Sequence, residues 1–265
     1  MFSDQAPYRE LYDQILDYDG AGLHHDVLRP WLDRNGAERR WLDEIRARRG
    51  SPVPPVTAEE SCRLYALSRI IDLLQLSFAP PAPEPRWTIA AVSAKDFVEF
   101  ADALGLERID QTAFHPFYHE IVTVDAEPNE NATPRLVDAY WPGLMLGPLL
   151  LSRTGCRVAA GRRHIMKEVA ETSTLHWAYA RNNRPATDLS AGWGSNSQWR
   201  TAFRRDYAID GELRYNVDAR ENPGGAGEAL DPAERLELLR HRCFIISPTP
   251  SGDLWPYDLS HVEHA

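Results

Sequence analysis

Lysine is almost missing from this chain: of its 29 Lys and Arg residues only Lys95 and Lys167 are lysine. With abundant Ala and Pro, that skew is the mark of a GC-rich bacterial genome, so no single arginine counts as functional merely for being arginine. Net positive charge is missing too. A formal charge of −10 excludes a general nucleic-acid or anionic-membrane binder, whose affinity comes from clustered cations. The three cysteines, Cys62, Cys156 and Cys243, are odd in number and far apart. They fit neither a disulfide framework nor a zinc knuckle and read as reduced thiols of a cytoplasmic protein.

Long hydrophobic runs are also lacking. The longest, around Leu144 to Leu151, is interrupted by Gly147-Pro148 and is too short to span a bilayer. The first residues, Met1-Phe2-Ser3-Asp4-Gln5, show no basic stretch followed by an apolar one, so no export signal is expected. Neither G-x-x-x-x-G-K-[ST] nor a post-strand G-x-G-x-x-G occurs, nor a G-x-S-x-G elbow, so the common nucleotide cradles and the hydrolase serine are not expected. What remains, at 43% hydrophobic and 26% charged, has the composition of a soluble globular protein.

The order of elements predicts an α+β fold: an N-terminal helical layer followed by a mixed or antiparallel sheet with interspersed helices. Tyr8, Leu11, Tyr12, Ile15 and Leu16 recur at helical spacing. Thr57 with Glu60 predicts a capped helix whose apolar face is Leu64, Leu67, Ile70, Ile71 and Leu74. Ser93 caps a helix through Phe97, Phe100 and Leu104 that ends at Gly105. The proline-dense stretch from Pro80 to Pro85 divides a helical region, 1–79, from an α+β body, 86–265. Strands are expected at Glu120–Asp125, Arg157–Ala160, Thr174–Ala180, Leu213–Asp218 and Cys243–Ser247, and helices near Ile165–Glu171 and Asp231–Leu239.

Three constellations could carry chemistry. His115 and His119 are four apart, a spacing that shares a metal on a helix but not on a strand, where four residues span roughly 13 Å. Pro116 and the β-branched run after Glu120 favour the strand, with a histidine at its start bonded to backbone and Glu120 on a solvated face. His164, Glu168 and Glu171 share one helical face, either as acid–base or metal-binding groups or as a solvated face beside Arg163 and Lys167. His24-His25-Asp26 contains H-x-D, a two-ligand pattern for iron, but here Asp26 reads as an early-turn acid of a helix.

The third constellation is the richest. Gly192 and Gly194 flank Trp193, and Ser195, Asn196, Ser197 and Gln198 offer donors where a helix could begin, with Arg200, Arg204 and Arg205 on the turns that follow. Trp199, Phe203 and Tyr207 form the buried stripe of that expected helix. The ligand-binding set is therefore Trp193, Ser195, Asn196, Gln198, Arg200 and Arg204, with His119, His164 and Glu168 as the catalytic set. The alternative is a surface helix whose Arg204 and Arg205 pair with nearby acids.

These readings lead to an enzyme of the hydrolase or transferase class acting on a small polar or anionic molecule. The alternatives are a non-catalytic interaction protein with an acidic surface and a Trp/Arg-rich face, or a small-molecule sensor. No cofactor follows from the residues, and a divalent metal ranks behind none at all. Expected partners are the small ligand, with a protein partner in the alternative reading, and neither nucleic acid nor membrane. The decisive unknown is whether His119, His164 and Arg200 converge.

Overall fold

The computed structural model describes residues 6–80, 88–172, 202–219 and 260–264. Helices α1 (Ala6–Asp17), α2 (Arg29–Arg34), α3 (Gly36–Ala47) and α4 (Ala58–Gln75) come first, with a π-helical turn, His24–Leu28, leading into α2. Helix α5 (Ala94–Ala103) follows, then strands β1 (Glu107–Arg108), β2 (His119–Ala126), β3 (Arg135–Trp141), β4 (Leu144–Leu146), β5 (Leu149–Ser152) and β6 (Thr154–Ala160). A 3-10 turn, Leu76–Phe78, follows α4, and helix α6 (Lys167–Thr172) and strands β7 (Asp206–Ile209), β8 (Glu212–Tyr215) and β9 (His261–His264) complete the described elements. The class is α+β. A six-stranded antiparallel sheet runs β1-β4-β5-β7-β8-β9, and a three-stranded mixed sheet runs β2-β6-β3 with β2 parallel to β6.

Helix α4 forms where the sequence predicts. Glu60 N donates to Thr57 Oγ1 at 3.1 Å and Thr57 N to Glu60 Oε2 at 2.8 Å, a reciprocal cap that stabilises the helix start by about 1 kcal/mol. Its burial goes beyond one apolar face, because from Ser61 to Gln75 only Arg63 is not buried. Polar groups inside the core therefore need internal partners. Arg63 takes Glu38 of α3 through two bonds, at 3.0 and 2.6 Å, and stacks over Trp41. Gln75 Nε2 donates to Ser152 Oγ of β5 at 2.8 Å, and Phe203 N to Ser61 Oγ at 3.0 Å.

The six-stranded sheet presents one side to the helices. Leu149 and Leu151 of β5 and Tyr207 of β7 join the main core with Leu67, Ile70, Trp31 and Phe100. The intervening Leu150 packs on the other side with Leu213, Phe117 and Tyr215, as strand alternation requires. A third cluster, with Ile121, Val124, Cys156, Val158, Ile165 and Ala170, fills the space between α6 and the smaller sheet. There Gly155 is required, since a Cβ at that position would lie inside the Trp141 ring.

The apolar run 144–151 is a hairpin, β4–β5, turning at Gly147 (φ +58°) and Pro148. Another hairpin, β7–β8, turns on Asp210 and Gly211, with φ of +55° and +75°, the pair of positive values that a type I′ turn demands. It displaces part of an expected helix. The stripe of Phe203 and Tyr207 is not helical, because 202–205 has no regular structure and β7 starts at Asp206. Both rings are nevertheless buried. The expected segments Thr174–Ala180, Asp231–Leu239 and Cys243–Ser247 lie outside the described residues.

A buried carboxylate joins the pieces. Asp206 Oδ2 accepts from Arg153 Nη2 at 2.9 Å, and Oδ1 accepts from Arg204 Nε and from Asn216 N, both at 2.8 Å. Arg153 Nε also donates to Pro116 O at 3.1 Å, tying the turn before β2 to the larger sheet. Asp206→Ala removes the carboxylate that both guanidiniums face and is expected to cost about 3–5 kcal/mol of stability. Urea unfolding followed by circular dichroism measures this, and a loss below about 1 kcal/mol would show the cluster to be dispensable.

Candidate functional site

The residues expected to be catalytic stand apart. His119 opens β2 opposite Thr154, while His164 follows the far end of β6, beyond the Ala126–Ala160 pair. Seven steps along a parallel ladder separate them by roughly 20 Å. His164 Nε2 lies 3.2 Å from Asn131 O, and Glu168 is exposed on the first turn of α6. Its neighbour Glu171 is tied to the sheet, where Oε1 accepts from Val124 N at 2.9 Å while Lys167 Nζ donates to Val124 O at 3.0 Å. That face of α6 thus docks the helix on β2. Arg204 is buried on Asp206, the pairing with a nearby acid given above as the alternative. Trp193, Ser195, Asn196, Gln198 and Arg200 lie outside the described residues.

The His115–His119 segment is a single tight turn leading into the strand. His119 N donates to His115 O at 2.9 Å, and His119 Nδ1 lies 3.1 Å from the same carbonyl. His115 Nδ1 accepts from Phe117 N at 3.1 Å, and its Nε2 faces Glu263 Oε1 at 3.6 Å. Nδ1 of each imidazole is thus engaged within the turn. His119 is fully buried, as a backbone-bonded histidine at a strand start is expected to be, but Glu120 is not on a solvated face: it is only 6% exposed. The three-stranded sheet is covered where Glu120 points, so the simple alternation in–out expected from sequence fails there.

A different constellation comes together on the helical layer. In the π-helical turn, Asp26 faces back to Tyr18 and His25, whose hydrogen bonds, His25 first, hold its carboxyl below the usual range. His24 turns the other way, towards α5. Its Nδ1 lies 3.5 Å from Asp96 Oδ1 and its Nε2 lies 4.0 Å from Glu99 Oε2. Asp96 and Glu99 are three apart and share a face of α5. Ser93 fixes the start of that helix by accepting from Asp96 N at 3.1 Å, while its hydroxyl donates to Asp96 Oδ2 at 2.8 Å.

His24 and Glu99 form one end of a cleft of about 530 Å3 between α2, α3 and α5. Arg29 and Asp33 reach it from α2, Asn35 from the α2–α3 junction and Arg39 from α3, over an apolar floor of Leu32, Ala103 and Leu104. The floor is firm, because Leu104 is buried and the neighbouring Trp31 and Phe100 rings pack at 6.2 Å. Asn35 Nδ2 donates to Trp31 O at 2.8 Å, closing α2 and setting the entrance to α3. Neither Arg29 nor Arg39 has an ion-pair partner among the described residues. The cleft therefore offers two guanidiniums, two carboxylates and an imidazole over an apolar base. Sequence reasoning had His24 and the α5 helix in hand, but their meeting is a contact across some seventy residues that no local pattern encodes.

No family model, curated protein or solved structure matches this chain.

The burial of His119 has a measurable consequence. Desolvation pushes its imidazole below the ordinary histidine value, partly offset by the carbonyls of His115 and Gln111. The unfolded chain then takes up a proton, as pH falls through about 6.5, before the native state does. Stability present above that pH is lost below it. Chemical denaturation at pH 7.5 and pH 5.5 is expected to show a smaller acid loss in His119→Gln than in the wild type. Equal losses would mean that His119 titrates alike in both states.

Proposed function

We propose that this protein binds a small polar molecule bearing an anionic group in the cleft between α2, α3 and α5, and acts on it as a hydrolase or transferase. The observation that carries the reading is the presence of Arg29 and Arg39, exposed and without ion-pair partners among the described residues, in the same cleft as His24. Guanidinium forks suit carboxylate and phosphate oxygens, and Asp33 and Glu99 accept from hydroxyl or amino groups elsewhere on the same ligand. About 530 Å3 suits a metabolite-sized molecule. The His24 imidazole, facing the Asp96 carboxylate, lines the same cleft.

The interaction-protein alternative rests on the Trp/Arg-rich segment, most of which lies outside the described residues; among the described residues the exposed large hydrophobics are Val137 and Val262, on separate strands.

Thermal-shift titrations with orthophosphate, pyrophosphate, citrate and glutamate test the reading. At least one of these anions is expected to raise the melting temperature of the wild type. Arg39→Ala, at an exposed position, is expected to keep the fold and weaken that anion by about 1.5–3 kcal/mol, the scale of a charge-assisted hydrogen bond. No response to any of the four, or an undiminished response in both Arg39→Ala and Arg29→Ala, would refute the assignment.

A further inference from the structure

We infer that His24, Asp96 and Glu99 form a binding site for one divalent transition-metal ion, of the Mn2+ or Zn2+ kind, in the wall of the cleft. One donor atom from each lies within 4.8 Å of the other two. Ligands about 2.1 Å from a tetrahedral ion stand about 3.4 Å apart, so the 3.5 Å between His24 Nδ1 and Asp96 Oδ1 already fits. Glu99 Oε2 lies nearest the other ring nitrogen, Nε2, at 4.0 Å, and its exposed side chain comes to the Nδ1 side by a rotamer change.

The donors come from two rigid elements. The π-helical turn directs His24 at α5 while its neighbours His25 and Asp26 bond to each other, so neither of them competes for the ion. On α5, the second oxygen of Asp96 is already held, Oδ2 by the Ser93 hydroxyl at 2.8 Å. Such an outer contact orients a metal-binding carboxylate and leaves Asp96 Oδ1 towards the imidazole. One imidazole with two carboxylates suits Mn2+, Fe2+ or Zn2+ better than Ca2+ or Mg2+, which take all-oxygen sets.

Three protein ligands are the number that leaves a metal open to water or substrate. Here the open side is set by the second observation, the cleft itself, into which His24 and Glu99 both face together with Arg29 and Arg39. An anion seated on the guanidiniums would present its polar group to the open side of the ion. The inference deepens the proposed function and rests on it for the ion's purpose, whereas binding depends on the three donors alone.

The test is a titration of the metal-free full-length chain with Mn2+ alone, followed by calorimetry and by the loss of the free-ion electron paramagnetic resonance signal. One equivalent is expected to bind, with Asp96→Asn and Glu99→Gln each weakening it at least tenfold and His25→Ala leaving it unchanged. Circular dichroism confirms that each variant is folded, and the two carboxylate variants serve as independent checks. Absence of saturation at about 1 mM Mn2+, or binding by both carboxylate variants as tight as wild type, would overturn the site. The orthophosphate response of Arg39→Ala, measured without metal, separates the two claims. Lost Mn2+ binding with an intact anion response removes the metal site only, and the reverse removes the anion reading only.

Discussion

A helix buried on all sides sets the terms for the rest of this molecule. From Ser61 to Gln75, α4 has almost no contact with water, so every neighbour must either be apolar or satisfy one of its polar side chains. That requirement explains why the helical layer and the larger sheet share one core. Gln75 reaches β5, Ser61 holds the chain just before β7, and Arg63 is matched to Glu38 of α3. Each such pair is worth little in net free energy, yet a buried group deprived of its partner costs 1–3 kcal/mol or more. The pairs therefore fix where the surrounding elements sit.

The cleft is a by-product of that arrangement. Because α2, α3 and α5 spend their apolar faces on the core, through Trp31, Trp41, Leu42, Phe97 and Phe100, their polar faces are left to diverge at the surface. His24, Arg29, Arg39 and Glu99 line the resulting gap on backbones that the core holds still. Preorganised donors of this kind lose less conformational entropy on binding than loop-borne ones. The wide π-helical turn belongs to the same design, since turns of this type occur often at functional sites, and here it directs one histidine out of a His-His-Asp run away from the other two residues.

How much of this was legible depended on whether the signal was local. Thr57 with Glu60 and Ser93 before Phe97 announced α4 and α5 through capping chemistry, and the β-branched run at Ile121–Val124 announced β2. Leu144–Leu151 was harder. Its apolar residues show no period, and only Gly147-Pro148, read as a turn instead of a mere interruption, would have exposed the hairpin. The Asp210-Gly211 pair is a stronger hairpin signal, whereas the aromatic spacing of Phe203 and Tyr207 imitates a helix. Strand pairing with β5 and β8 decided the outcome. The candidate site was the least legible part. His119, His164 and Arg204 are each polar in sequence, but the fold sets His119 and His164 at opposite ends of the smaller sheet and commits Arg204 to Asp206. The cleft groups are joined only in three dimensions.

The central claim, that the cleft seats an anion beside a metal ion held by His24, Asp96 and Glu99, is tested most directly by anomalous diffraction from crystals of the protein soaked in Mn2+ and orthophosphate. The account predicts one strong anomalous peak about 2.2 Å from a donor atom of each of the three residues, with phosphate density between it and Arg29 or Arg39. No peak there, or Mn2+ bound only elsewhere, for example between His115 and Glu263, would contradict it.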